Sequence, residues 1–208
     1  MIPVVYAYPV YKFLFWVEMF RSENDNLEKS VLDCGAGGNR PPLALFYQAG
    51  YKTTGIDISK DSIRNASIYS KNHNMNLNIN TGDMRELKFE DACFSFVYSY
   101  NSIFHLFKRD IIKSIKEMKR VLKPNGLIFI NLLSVEDQLC GKGKEVGVNE
   151  FLQQEGEDLV IHSFFEDDEA DSLFEKNEII HKEKRFIDFS YEGKPLHQVY
   201  IDFIVKKG

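Results

Sequence analysis

Three acidic residues stand where apolar runs break into glycine. They are Asp33 in Val31-Leu32-Asp33-Cys34-Gly35-Ala36-Gly37-Gly38, Asp57 in Gly55-Ile56-Asp57-Ile58-Ser59 and Asp83 in Gly82-Asp83-Met84. Glycines that follow an apolar strand let the backbone approach a ligand closely. In open α/β sheets ligands bind beyond the carboxyl ends of the strands, at the switch point. Asp33, two residues before Gly35, would repel a pyrophosphate and suits a cationic ligand. Arg40 occupies the third glycine position of the GxGxxG fingerprint, so a nicotinamide or flavin dinucleotide is the weaker fit. Asp57 lies 24 residues after Asp33, near the roughly 20-residue spacing of a ribose-binding acid. A carboxylate there can accept from both ribose hydroxyls. At Asp83 a carboxylate can accept from an adenine amino group, with Met84 against the ring face.

A second group of residues falls where an acceptor would sit. Tyr100, Asn101 and His105 follow a fourth apolar run, and His162 lies in Val160-Ile161-His162-Ser163-Phe164-Phe165. Transfer to an alcohol or phenol would gain from a general base. His105 and Tyr100 are the candidates, while His162 reads as a packing residue. Tyr6, Tyr8, Tyr11 and Trp16 make the N-terminal segment an aromatic lid or packing helix. His73, His181 and His197 read as surface or hairpin residues. No two histidines have metal-ligand spacing along the chain, and Cys34, Cys93 and Cys140 form no CxxC pair. The expectation is therefore no metal and no disulfide, with thiols in a reducing cytosol.

These groups need elements to hold them. Strands are predicted at Ser30–Cys34, Tyr51–Ile58, Leu77–Thr81, Ala92–Tyr100 and Leu127–Leu133. Helices between them are predicted at Pro41–Ala49, Lys60–Lys71 and Asp110–Leu122. The last carries Ile111, Ile112, Ile115, Met118, Val121 and Leu122 on one face. Alternation of this kind makes a parallel sheet with right-handed crossovers. Ser134–Gly156 is polar, Gly-rich and without periodicity. Val160–Phe165 follows as a short strand and Glu166–Lys176 as a helix. Ile179–Tyr191 and Leu196–Val205, joined at Glu192-Gly193-Lys194-Pro195, read as an antiparallel hairpin.

The 208 residues carry a net charge of -5, and the one basic run, Lys113–Lys123, reads as a solvated helix face. Nucleic acid is disfavoured as a partner. Ile2–Phe20 is too short and too interrupted, by Pro3, Pro9, Lys12 and Glu18, to cross a bilayer. The chain reads as one cytoplasmic domain. Residues 1–29 form a helical lid, 30–133 a cofactor-binding core, 134–165 a substrate-side insertion and 166–208 a C-terminal helix and hairpin.

In order and spacing, VLDCGAGG, GIDIS, GDMREL, FSFVYSYNSIFHL and EMKRVLKPNGLIFINLL resemble a class I S-adenosylmethionine-dependent methyltransferase over about residues 30–133. The resemblance implies a three-layer, doubly wound, Rossmann-like α/β fold. Its mostly parallel seven-stranded sheet ends in an antiparallel C-terminal hairpin that supplies strands six and seven. It also implies S-adenosylmethionine as cofactor and S-adenosylhomocysteine as product. By position, Asp33 would meet the amino group of the methionine moiety, with Gly35, Ala36 and Gly37 along its backbone. Asp57 would hold the ribose, Ile58 and Met84 would flank the adenine, and Asp83 would meet its amino group. Tyr98–Tyr100 would close the site. Asn39 replaces a glycine common in the family, and asparagine tolerates left-handed backbone.

The Asn/Asp-Pro-Pro-Tyr motif of amino-methylating nucleic-acid enzymes is absent, since the stretch after the fourth run reads Tyr100-Asn101-Ser102-Ile103, and no Pro-Cys pair serves pyrimidine C5 chemistry. A small-molecule acceptor is the expectation. A nicotinamide-dependent oxidoreductase and a non-catalytic S-adenosylmethionine-binding module are the alternatives.

Overall fold

The computed structural model describes residues 8–24, 26–175, 177–191 and 193–208. Buried apolar runs become strands because their faces are covered on both sides. They are β1 (Ser30–Cys34), β2 (Lys52–Asp57), β3 (Ile79–Thr81), β4 (Phe94–Ser99) and β5 (Leu122–Ser134), and every residue of β1 and β4 is buried. They run parallel in the order β3-β2-β1-β4-β5. Helices α1 (Tyr8–Glu23), α2 (Leu43–Gln48) and α3 (Lys60–Asn72) cover one face, and α4 (Lys108–Val121) and α5 (Asp167–Ser172) the other. Strand β10 (Lys194–Lys206) pairs antiparallel with β5, and β9 (Glu178–Tyr191) pairs antiparallel with β10. The path β3-β2-β1-β4-β5-β10-β9 is the expected seven-stranded sheet with its antiparallel hairpin.

Alternation along β1 sorts its side chains. Val31 faces the α1–α2 side and Leu32 and Cys34 face α4, so by period two Asp33 points toward α1 and α2. Helix α1 buries Val10, Phe13 and Val17 against the sheet. The Phe13 ring lies 5.9, 5.8 and 5.4 Å from those of Phe46, Tyr98 and Phe129. The aromatic N-terminal segment is thus a core helix from Tyr8 onward, and Tyr6 lies outside the described residues. In α4, Ile111, Ile115, Met118 and Val121 are buried, but Ile112 is exposed, because the 3.6-residue period turns it away from the sheet. Among the described residues no helix is long and apolar enough to cross a membrane.

The segment after β5 carries more structure than its composition suggests. Strands β6 (Lys144–Gly147), β7 (Glu150–Glu155) and β8 (Asp158–Phe165) form an antiparallel meander. Strand β8 then pairs parallel with Leu133 and Ser134 at the end of β5. Leu133 already pairs with Tyr200 on one edge, so β8 takes the edge that β4 leaves free after Ser99. Phe151 and Gln153 are buried in β7 while β6 is mostly exposed. Too few apolar residues line the meander for its period to stand out in the sequence.

Candidate active site

The turn after β1 is fixed by backbone bonds to β2. The Gly35 and Ala36 amides donate to the Ile56 carbonyl at 2.8 and 2.9 Å, and the Gly38 amide to that of Ser62 at 2.9 Å. Gly35 has φ +99°, a conformation open chiefly to glycine, and a Cβ there would stand 2.0 Å from Ser102 Oγ. The Asp57 carboxylate accepts from the Gly37 amide and the Ser59 amide, both at 2.8 Å. Ser59 in turn caps α3 by accepting from the Ser62 amide. One acid thereby ties the glycine turn, the end of β2 and the start of α3 together.

Gly37 is required by close approach alone. A Cβ there would stand 2.4 Å from Ser62 Cβ and 2.6 Å from Asp57 Oδ2. Gly37→Ala is expected to lower the urea midpoint by the equivalent of about 1–3 kcal/mol, the cost of overpacking. An unchanged midpoint would mean that the turn has room to spare.

Asp33 is 1% exposed. Among the described residues no cation or backbone amide pairs with it, and the group that faces it is the Tyr98 hydroxyl. Burial pushes its carboxyl up to about 8; the Tyr98 hydroxyl opposes that rise, and nearby Asp57 adds to it. Held neutral below that value, the carboxyl would be ionised by a cation placed beside it.

A cleft opens at the carboxyl ends of β1 and β2, lined by Gly35, Asp57, Ile58, Asp83, Met84 and Ser102. Ile58 is 68% exposed and its side chain is free to pack on a ring. Arg85 grips Asp83: its Nε donates to both carboxylate oxygens, at 2.9 and 3.0 Å, and its Nη2 donates at 2.7 Å. Those bonds hold the Asp83 carboxyl below its ordinary range, and the arginine competes with any adenine amino group for the same oxygens. The cleft holds about 60 Å³, well under the roughly 300–1,000 Å³ of small-molecule sites. A nucleoside must therefore displace Ser102 or Leu106, on the loop after β4.

That loop is anchored from β5. Buried Asn131 accepts from the Asn101 amide at 2.8 Å and donates to the Asn101 side chain at 2.6 Å. The pair holds Asn101 at φ +51°. Tyr100 does not line the cleft. It stacks on Phe129, 6.2 Å between centroids, and faces the buried Arg185–Asp202 ion pair. Burial raises its hydroxyl above the usual phenol range.

His105 ends a 3-10 turn, Ile103–His105, and meets His162 on β8. The two rings lie edge to face with centroids 4.7 Å apart, and His162 Nε2 is 3.0 Å from Glu155 Oε1. The residues stand 57 positions apart, so the sequence offered no signal of their meeting. Ser102, Leu106 and Arg85 were equally silent, because each acts through loop geometry.

Residues 32–130 match the family model described as a methyltransferase domain. A ubiquinone biosynthesis O-methyltransferase of Rickettsia prowazekii is 28% identical over 121 residues, covering 57% of this chain and 46% of that protein. The chain spans less than half the length of this relative and of the ubiquinone biosynthesis O-methyltransferases of Rickettsia akari and Rickettsia typhi. Among solved structures, an S-adenosylmethionine-dependent methyltransferase of Clostridium acetobutylicum superposes with TM-score 0.69 at 15% identity, covering 98% of this chain and 93% of that one. One of Methanosarcina mazei gives 0.67 at 22%, covering 88% and 95%. At such identities the likeness is one of fold.

Proposed function

We propose that this chain, whose residues 32–130 belong to the methyltransferase domain family, transfers a methyl group from S-adenosylmethionine to a small-molecule acceptor. The observation that carries the reading is Asp33, a buried acid without a cation at the end of β1, beside a glycine turn that no side chain can fill. The residues fit the cofactor. Asp33 suits an ammonium group and Asp57, with a lone pair left on each oxygen, suits a ribose diol. Ile58 and Met84 offer apolar faces to an adenine.

When bound, the cofactor supplies a methyl group activated on a sulfonium. The chain's own work is then alignment and exclusion of water. Alignment of reacting groups is worth about 7–11 kcal/mol in the best cases. Asp33 takes the methionine end of the ligand and Asp57 its central ribose, both from rigid strand ends. The loop held by Asn131 borders the ligand cleft with Ser102 and Leu106. The meander β6–β8 stands beside that loop and forms the acceptor wall. The curated relative is named for O-methyl transfer, which supports a hydroxyl acceptor.

Calorimetric titration with S-adenosylhomocysteine and, separately, with NAD tests the cofactor. Saturable binding of the first without the second is expected. Binding of NAD alone would replace the proposal with a nicotinamide-dependent reaction.

A further inference from the structure

His105, His162 and Glu155 come from three separate elements, the 3-10 turn, β8 and β7, yet one ligand atom from each lies within 4.8 Å of the others. His162 is 4% exposed and sits among Phe104, Phe164 and the His105 ring. Each imidazole has a buried Nδ1 with no hydrogen-bond partner. An unsatisfied buried polar atom is costly, and the free Nδ1 of His105, beside the His162–Glu155 pair, marks a place where a further group completes the structure. The ring of His105 also bonds the Ile161 carbonyl. A carbonyl partner of this kind orients a metal-bound histidine and fixes its tautomer.

The geometry points to a divalent transition-metal site formed by His105, His162 and Glu155, of the zinc class, with an open position for an outside ligand. Two nitrogens and one carboxylate oxygen suit zinc rather than magnesium or calcium, which take oxygen ligands. Ligands each about 2.0–2.2 Å from a tetrahedral ion stand roughly 3.3 Å apart. The separation of 3.0 Å between His162 Nε2 and Glu155 Oε1 is already near that value. All three ligand atoms lie within 4.8 Å of one another, and Glu155, whose side chain is 51% exposed, is free to adjust. A metal here ties the loop after β4 to the meander, and through Ser102 and Leu106 that loop lines the cleft. The site uses side chains of this chain alone and is read without the cofactor.

Titration of the metal-stripped full chain with Zn²⁺, and with Co²⁺ for its visible d–d absorption, tests this site. One equivalent should bind, with tetrahedral or five-coordinate Co²⁺ bands, and Mg²⁺ should not compete. Loss of an outer-shell partner alone typically weakens metal binding about 10–100-fold, so Glu155→Gln and His105→Asn should each cost at least that. Glu155 is exposed, so its glutamine variant keeps the fold, and unfolding curves of the metal-free variants verify it. Absence of binding in the wild type would overturn the site. So would affinity unchanged in both variants, which would move the metal elsewhere, such as the His197–Asp188 pair on the hairpin.

Discussion

Asp33→Asn is expected to make the protein more stable at pH 8 and a poorer binder of S-adenosylhomocysteine. The carboxyl is fully buried and raised from 3.8 to about 8. Between those values the folded chain holds a proton that the unfolded chain has released, so wild-type stability falls as pH rises through that window. At about 1.4 kcal/mol per pH unit the interval corresponds to on the order of 5 kcal/mol. Asparagine has no charge to bury and keeps a hydrogen-bonding side chain opposite the Tyr98 hydroxyl. Its melting temperature at pH 8 should exceed the wild type's by roughly 10–20 °C, at about 2–4 °C per kcal/mol for a chain of this size. The difference should shrink toward pH 4.

The ligand tells the other half. An ammonium group beside Asp33 favours the ionised acid, so wild-type affinity for S-adenosylhomocysteine should rise with pH up to about 8 and then level off. The variant should show no such rise and should bind about ten- to a hundredfold more weakly, the worth of a charge-assisted bond. Thermal unfolding and calorimetry from pH 5 to 9 read both effects. A wild type equally stable at pH 5 and 8 would remove Asp33 as a strained acid. A variant that binds as tightly as the wild type would remove it as the ammonium partner. Both changes together would identify a group whose burial costs stability in exchange for binding.

The parts of this site that could be read in the sequence are those set by local chemistry. Asp33, Gly35, Gly37 and Asp57 sit on strand ends and in a tight turn, where residue type and spacing fix the geometry. The apolar runs of β1, β4 and β5 and the periodic face of α4 made the strands and the parallel sheet legible for the same reason, whereas the strand order is a matter of contacts between distant segments. What failed to show depends on contacts between distant segments. The meander β6–β8 buries few side chains, and its pairing with β5 rests on Leu133 and Ser134 alone. The meeting of His105 with His162 follows from that pairing. Asp83 was legible as an acid at a strand end, but its capture by Arg85 two residues on is a matter of side-chain rotamer. Tyr100 was placed at the site by chain position, whereas alternation along the end of β4 sends it to the α1 face beside Phe129.

Asp57→Ala separates anchoring from binding. The carboxylate holds the Gly37 and Ser59 amides, so its loss leaves two donors without partners. The metal-free, ligand-free variant should melt a few degrees lower, at about 1–3 kcal/mol per unsatisfied buried group and less where water reaches it. A ligand at 100 times its dissociation constant stabilises a one-site protein by about 2.7 kcal/mol. S-adenosylhomocysteine should therefore raise the wild-type melting temperature by roughly 5–10 °C. At that same concentration the shift should vanish in Asp57→Ala, because the ribose diol loses its acceptor and the turn its shape. Asp57→Asn distinguishes the two causes. Its amide oxygen can still accept from one backbone amide and preserve much of the turn, while its NH2 offers the diol a donor where an acceptor is needed. Loss of the shift in both variants assigns Asp57 to the ribose. Loss in alanine with retention in asparagine confines it to holding the turn, and the ribose must then be bound by another group. Asp61→Ala, at a side chain 81% exposed on the first turn of α3, should leave both the melting temperature and the shift as in the wild type. If it too abolished the shift, a general effect of charge on α3 would account for Asp57 as well.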